Sequence, residues 1–320
     1  MHQIAIIGAG QLGSRHLQAL ARLTIDCEIT VIDPSSASLA VARQRFDEMP
    51  INEAIRAVRY CMSINELPAK LDYVIVATAA DVRLHVLQSL LARSTVRFML
   101  LEKVLFQKLG DYAIADTLLK THAVRTWVNC PRRTYPLYNS IREFFDEPLR
   151  WFQVSGGSWG LGCNSIHFID LLSKLTGMDP TEMSAEGLDP MLIPSKRANF
   201  MEFTGSLRGK FGVTQFELAS LVDSTASLMM VIRSDHRTCL IDESGGIAFL
   251  FDGSSWEEKR FSLPFLSETA TLVATRILCE GTSDLATYEQ SVGCHLPLLK
   301  TLSAHAAKAL GTPADYCPIT

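Results

Sequence analysis

The sequence predicts an α/β chain with an α+β second half: a doubly wound parallel sheet, then a domain on an open, mostly antiparallel sheet. Three observations predict it. A short apolar run, Ile4 to Ile7, leads into Gly8, Gly10 and Gly13 and then into an amphipathic stretch. Through the first 130 residues, β-rich apolar runs alternate with helical patterns, which is how parallel strands joined by covering helices read. Beyond that point the runs lengthen, and Gly and Asp mark their turns.

In order, the strand candidates are "IAIIG", "CEITVID", a weaker run near "RYCMS", "YVIVAT", "RFMLLEK" and "RTWVNC". They are continuous Val/Ile/Leu runs because strands covered on both faces need no polar side. After "CPRRTYPLYNSIREFF" come "RWFQVSGGSW", "ANFMEFTGSLRGKFGVTQFELA" and "SLMMVIRSDHRTCLIDESGGIAFLFDG", which read as hairpins. A helical pattern from about Glu268 to Leu310 closes the chain, with Pro297 expected to kink or interrupt it. The expected domains are 1–130, binding a dinucleotide, and 131–320, carrying substrate and assembly surfaces.

With 320 residues and 48% hydrophobic content the chain has material for two cores. A net charge of −4, with no block of Lys and Arg, points away from nucleic acid and from anionic membranes and toward a small-molecule partner. No CxxC pair occurs among the eight cysteines, which read as reduced thiols of a cytoplasmic protein; no metal site is expected. With a strand beginning by Ile4 no secretory leader is expected, and no apolar run approaches a membrane span.

Gly8-Ala9-Gly10-Gln11-Leu12-Gly13 lies between a strand and a helix, the context in which GxGxxG holds a dinucleotide. The first glycine allows the tight turn, the second lets backbone approach a pyrophosphate, and the third lets helix and strand pack closely. The helix N-terminus adds free N–H groups and partial positive charge. Asp33 ends the second strand, 20 residues after Gly13, where a carboxylate accepts from ribose hydroxyls and repels a 2′-phosphate. The reading is a Rossmann domain that takes NAD in preference to NADP.

These residues, with those that follow, resemble the glucose-fructose oxidoreductase / inositol dehydrogenase / MocA family over nearly the whole chain. "GAGQLGSRHLQAL" continues from the glycine turn into Arg15 and His16 as that family does, and "LDYVIVATAADVRLHVLQSLL" is similar to its fourth strand and following helix. "LLEKV" stands where the family has Glu-Lys-Pro, with Val104 for the proline, and "RRTYPLY" is similar to its segment after the sixth strand. "GLGCNSIHFIDLLSKLTG" resembles its substrate-side helix, whose motif ends in His, two residues, Asp. The resemblance implies hydride transfer at a secondary hydroxyl of a sugar, cyclitol or nucleotide sugar, and a homo-oligomer formed through the outer sheet face. It also implies that Thr78, Ala79, His85 and Glu102 line the cofactor with the glycine turn.

Oxidising an alcohol needs a proton acceptor and a stabiliser of the developing alkoxide. Lys103, at the end of the fifth strand, and His167, on the substrate-side helix, are the candidates. For substrate contact the candidates are Arg133, Tyr138, Asn164 and Asp170, with Arg132, Tyr135, Lys196 and Arg197 as weaker hints; each of these is also of a type that packs or pairs internally. The chain departs from the resemblance at Cys163, where many members carry an Asp four residues before the His. Either Asn164 and Asp170 compensate, or Lys103 carries the proton transfer, or the chemistry has moved. Two rivals stay open: a redox-neutral epimerase or glycosidase that uses bound NAD transiently, and a non-catalytic dinucleotide sensor.

Overall fold

The structure, a computed structural model, describes residues 1–311 and 313–320. The chain forms two compact units. The first takes in residues 1–106, 111–129 and 264–289, and the second 107–110, 130–263 and 290–320.

The first unit is built on β1 (His2–Ile7), α1 (Gln11–Leu20), β2 (Cys27–Ile32), α2 (Ser36–Asp47), β3 (Ile55–Cys61) and β4 (Lys70–Val76). It continues with α3 (Arg83–Arg93), β5 (Thr95–Leu101), α4 (Leu109–Thr121) and β6 (Arg125–Val128). The six strands are all parallel, in the order β3-β2-β1-β4-β5-β6. The direction of winding reverses between β1 and β4, which opens a crevice at the carboxyl ends of the strands. Burial explains the continuous apolar runs: Ile4–Ile7, Tyr73–Val76 and Phe98–Leu101 are all buried.

The second unit holds α5 (Pro136–Phe144), β7 (Trp151–Gly157), α6 (Leu161–Thr176), β8 (Glu182–Leu188), β9 (Ile193–Pro194), β10 (Met201–Glu202) and β11 (Gly205–Phe211). β12 (Thr214–Leu221), β13 (Met229–Arg233), β14 (Thr238–Asp242), β15 (Ile247–Phe251) and β16 (Trp256–Arg260) follow. Eight of these strands form one sheet, β16-β15-β14-β13-β7-β12-β11-β8, antiparallel except between β7 and β12. α6 packs on β11 and β12. The inward residues alternate along the strands, as with Phe152 and Val154, Phe216 and Leu218, and Met230 and Ile232.

Two features differ from the sequence reading. Everything after residue 130 was expected in the second domain, yet α7 (Leu266–Glu280) joins the first unit. Its Val273, Ala274, Ile277 and Leu278 enter the core of Ile4, Leu17, Ile29 and Leu100, and its Thr271 hydroxyl donates to the Ala19 carbonyl at 2.8 Å. The break in the closing helical pattern also falls at Gly281, in the left-handed region at φ 67°, and α8 (Tyr288–Leu310) runs through Pro297. Glycine ends a helix there because it takes that conformation without a Cβ clash.

Candidate functional site

In the first unit the three glycines do three different things. Gly8 is at φ 95°, and a Cβ there would lie 2.9 Å from the Ala77 carbonyl carbon and the Thr78 nitrogen. A Cβ on Gly13 would lie 1.7 Å from the Gly8 oxygen, so the helix packs against its own entry loop only with glycine. Around Gly10 nothing lies within 4 Å of such an atom. That side is open for a ligand. Gly10 is also the N-cap of α1, no side chain caps the helix, and its first turn carries no acid; Gln11 is exposed and Leu12 half-buried there.

Asp33 closes the loop from the side. One carboxylate oxygen accepts the Ala9 N–H at 2.7 Å and the other the Ser35 N–H at 2.8 Å. Thr78 and Ala79, half-buried, continue from β4 beside Gly8, and the Thr78 hydroxyl is buried without a hydrogen-bond partner in the protein. An open glycine face, uncapped helix N–H groups, an exposed-side carboxylate and an orphaned hydroxyl fit a dinucleotide: backbone for its pyrophosphate, Asp33 for a ribose.

Lys103 follows β5 and is the half-exposed residue in the otherwise buried stretch Leu101–Phe106. Its peptide bond to Val104 is cis. Beside it, Glu102 is only 3% exposed, and one carboxylate oxygen receives both His16 Nε2 at 2.6 Å and Asn129 Nδ2 at 2.7 Å. Burial alone would raise this carboxyl; the hydrogen bonds and charge from His16, with the Asn129 amide, hold it below the ordinary carboxylate range. Glu102 is therefore an internal anchor under Lys103, not the expected cofactor contact. His85 is exposed on α3, which leaves its expected cofactor contact open. Arg83, two residues earlier and so about 200° around the helix, is the side chain that turns inward.

In the second unit, α6 starts at Gly160, in the left-handed region at φ 78°. The carboxylate of Glu202, from β10, accepts the Gly162 N–H at 2.7 Å and the Cys163 N–H at 3.2 Å. A negative charge at these orphan donors satisfies them and opposes the helix dipole. Asn164 gives its side-chain amide to the Trp159 carbonyl at 2.8 Å and stays half-buried. His167 lies one turn beyond Cys163, also half-buried.

The other face of α6 is closed by internal pairs. Arg133 donates to Asp170 at 2.9 Å, and Asp170 is 1% exposed. Burial pushes its carboxyl up to about 6 in spite of Arg133 and Lys174. Arg132 makes a bidentate pair with Glu243, at 3.0 and 2.9 Å, and stacks 4.5 Å from the centre of the Phe168 ring. The fully buried Tyr138 hydroxyl donates to the same Glu243. Arg133, Tyr138 and Asp170 were expected to bind substrate. The structure pairs Arg133 with Asp170 and Tyr138 with Glu243, since buried charges persist only when paired, while Arg133 Nε and Asp170 Oδ2 stay buried without a hydrogen-bond partner in the protein. Sequence reasoning missed Arg83, Asn129, Glu202 and Glu243. Of these, only Arg83 left a local signal, a charged residue on the apolar stripe of its helix.

Residues 2–130 match the Gfo/Idh/MocA family model, described as an oxidoreductase family with an NAD-binding Rossmann fold, so the family resemblance is borne out there. No curated protein sequence matches the chain. Solved structures share its fold over nearly its full length. One is a UDP-N-acetylglucosamine 3-dehydrogenase from Acidithiobacillus ferrooxidans, 15% identical over 97% of each chain, TM-score 0.71. Another is an oxidoreductase from Agrobacterium radiobacter in complex with NAD+, L-tartaric acid and magnesium, 12% identical over 97% of each chain, TM-score 0.72. A third is a biliverdin reductase from Synechocystis with biliverdin and NADP+, 14% identical over 97% of this chain and 99% of that one, TM-score 0.71. Among the described residues, no helix is long and apolar enough to cross a membrane.

Proposed function

We propose that the protein is an NAD-dependent oxidoreductase that moves a hydride to or from a secondary hydroxyl of a sugar, cyclitol or nucleotide sugar. The observation that carries this reading is the glycine cradle, open at Gly10 and closed by Asp33, with Lys103 just past the end of the next strand but one. When bound there, NAD supplies the hydride acceptor or donor.

The chain's own residues supply the rest. Backbone N–H groups of Gln11 and Leu12 meet the pyrophosphate, and Asp33 takes the adenosine ribose and disfavours a 2′-phosphate. The Lys103 amine hydrogen-bonds the reacting oxygen and stabilises the negative charge that develops on it. His167, on a helix whose first N–H groups are capped by Glu202, takes or returns the hydroxyl proton or orients the substrate. The eight cysteines are free thiols, which supports a reducing compartment, the cytoplasm.

The test is binding of NAD and NADP by the purified protein, followed by a screen of sugars, cyclitols and nucleotide sugars for NADH formation. NADH formation on one substrate class is the expected result. Cofactor that stays bound through purification while the sugar changes without net NADH formation would replace this reading with a redox-neutral one. Absence of both binding and turnover would leave the sensor and the enzyme readings without support.

A further inference from the structure

Arg83 is the largest charged side chain buried in the first unit. It begins α3, is 1% exposed, and continues a buried stripe with Leu87, Leu90 and Leu91. Both terminal nitrogens of its guanidinium donate to backbone. One terminal nitrogen donates to the Leu105 carbonyl at 2.7 Å and to the Val104 carbonyl, and the other donates to the Thr78 carbonyl. A single rigid fork thus ties the turn after β4, beside Gly8, to the two residues after Lys103.

The far side of Lys103 is tied as well. Glu102 is locked by His16 and Asn129, and Val104, Leu105 and Phe106 are buried. Lys103 therefore projects from a backbone held just before it by a carboxylate network and just after it by a guanidinium. Placing a cation in an apolar core is costly, and a Leu at this point would satisfy the stripe. What the arginine adds is a fixed geometry between the loop that receives the dinucleotide and the strand end that carries the amine. A lysine carries the same charge but not the planar, forked set of donors.

We infer that Arg83 is the positioning residue for Lys103: it sets the direction of the amine relative to the cofactor loop without touching either ligand. The inference rests on the proposed role of Lys103 at the reacting oxygen. Displacing a reacting group by about 1 Å costs roughly 10²-fold in rate.

The experiment uses Arg83→Lys and Arg83→Gly in the full chain. With a substrate in hand, both variants are expected to lose roughly 10²-fold in kcat while KM and the NAD dissociation constant stay within a few-fold. Millimolar guanidinium chloride restores Arg83→Gly, and equal sodium chloride does not. Amide hydrogen exchange supplies a second measurement that needs no substrate. Exchange across Glu102–Phe106 accelerates in Arg83→Lys, and exchange across Gly8–Gly13 does not. Wild-type kcat in Arg83→Lys, or exchange unchanged across Glu102–Phe106, would overturn the inference. So would exchange raised through the whole unit, which would mark Arg83 as stability alone. Should the wild type oxidise no sugar, the proposed function falls, and the exchange data still decide the case of Arg83.

Discussion

The carboxylate of Glu202 accepts the Gly162 N–H at 2.7 Å, so the start of the helix that bears His167 is held by a residue 40 positions along the chain. The family resemblance implies an Asp at position 163. The chain has Cys163 there, and a carboxylate reaches the Cys163 N–H from β10 instead. Glu202→Gln keeps an acceptor and loses the charge, which should cost about 1 kcal/mol, the scale of a helix-end charge effect. Glu202→Ala leaves two buried N–H groups without acceptors and should cost about 2–3 kcal/mol. Urea unfolding of both variants measures this. A loss below about 0.5 kcal/mol in the alanine variant, the scale of a neutral surface change, would mean the cap is idle.

Asp170 gives the fold a pH dependence of definite sign. Its carboxyl is pushed by burial from 3.8 to about 6. Between those values the folded chain holds a proton that the unfolded chain has released, so this group's contribution to stability falls as pH rises through the window and is level above it. Each unit of difference is worth about 1.4 kcal/mol. Asp170→Asn removes the titration, so the variant should gain on the wild type between pH 4 and pH 7. Equal stability differences at both pH values would contradict this.

How much of this was legible depends on how far apart the partners stand in sequence. The parallel strands were readable because Ile4–Ile7 and Tyr73–Val76 are buried on both sides and so carry no polar alternation. The glycine turn was readable because Gly8 and Gly13 answer steric needs within a few residues or at the neighbouring strand end. Arg133 and Asp170 are 37 positions apart, and Tyr138 and Glu243 are 105 apart. No local pattern distinguishes such a pair from two residues waiting for a ligand. α7 shows the same limit: its periodicity says that one face is buried, not which core receives it. Arg83 was within reach, because its spacing to Leu87, Leu90 and Leu91 places it on the buried stripe of α3.

In the proposed reading Asp33 sets the cofactor preference, and in the structure it braces the loop through Ala9 and Ser35. Asp33→Asn separates the two roles better than alanine, since an amide oxygen still accepts one of these bonds. The wild type should bind NAD at least about 10-fold more tightly than NADP, given a like charge a few ångströms from the 2′-phosphate. The variant should narrow that ratio about 10-fold. Titration calorimetry with both cofactors checks it, and equal affinities in the wild type would sink the assignment.

The homo-oligomer that the resemblance implies, formed through the eight-stranded sheet, makes a further prediction. Val231, Leu240 and Phe249 stand in one cross-strand row, and Ile247, Phe251 and Trp256 flank it on the same face. Phe249 is 37% exposed and Trp256 54%, an apolar area that a second copy would cover. Light scattering at micromolar concentration should find a dimer or larger species, and Phe249→Glu should shift it toward monomer. A monomeric wild type would remove the proposed interface.

The division of labour between Lys103 and His167 yields the sharpest test. Lys103 stands on a braced backbone, while the proposed cofactor contacts lie on the glycine loop and Asp33. Lys103→Ala should therefore abolish turnover and leave NAD affinity within a few-fold. His167→Asn removes one acid–base group and should lower the rate roughly 10²- to 10⁴-fold. Cys163 gives its backbone N–H to Glu202, and its thiol donates to the Gly160 carbonyl at 3.6 Å, so Cys163→Ser should cost little. Cys163→Asp does not simply restore the family pattern here. The Glu202 carboxylate already accepts the Cys163 N–H at 3.2 Å, so a carboxylate at position 163 would place a second negative charge beside it. That variant should be less stable than the wild type, and pairing it with Glu202→Gln should recover much of the loss by leaving one charge in place of two. Steady-state rates and urea midpoints for the set decide the matter. Near-full activity in Lys103→Ala, or damage from Cys163→Ser as severe as from either of the other two, would refute this assignment of roles and bring the thiol into the mechanism.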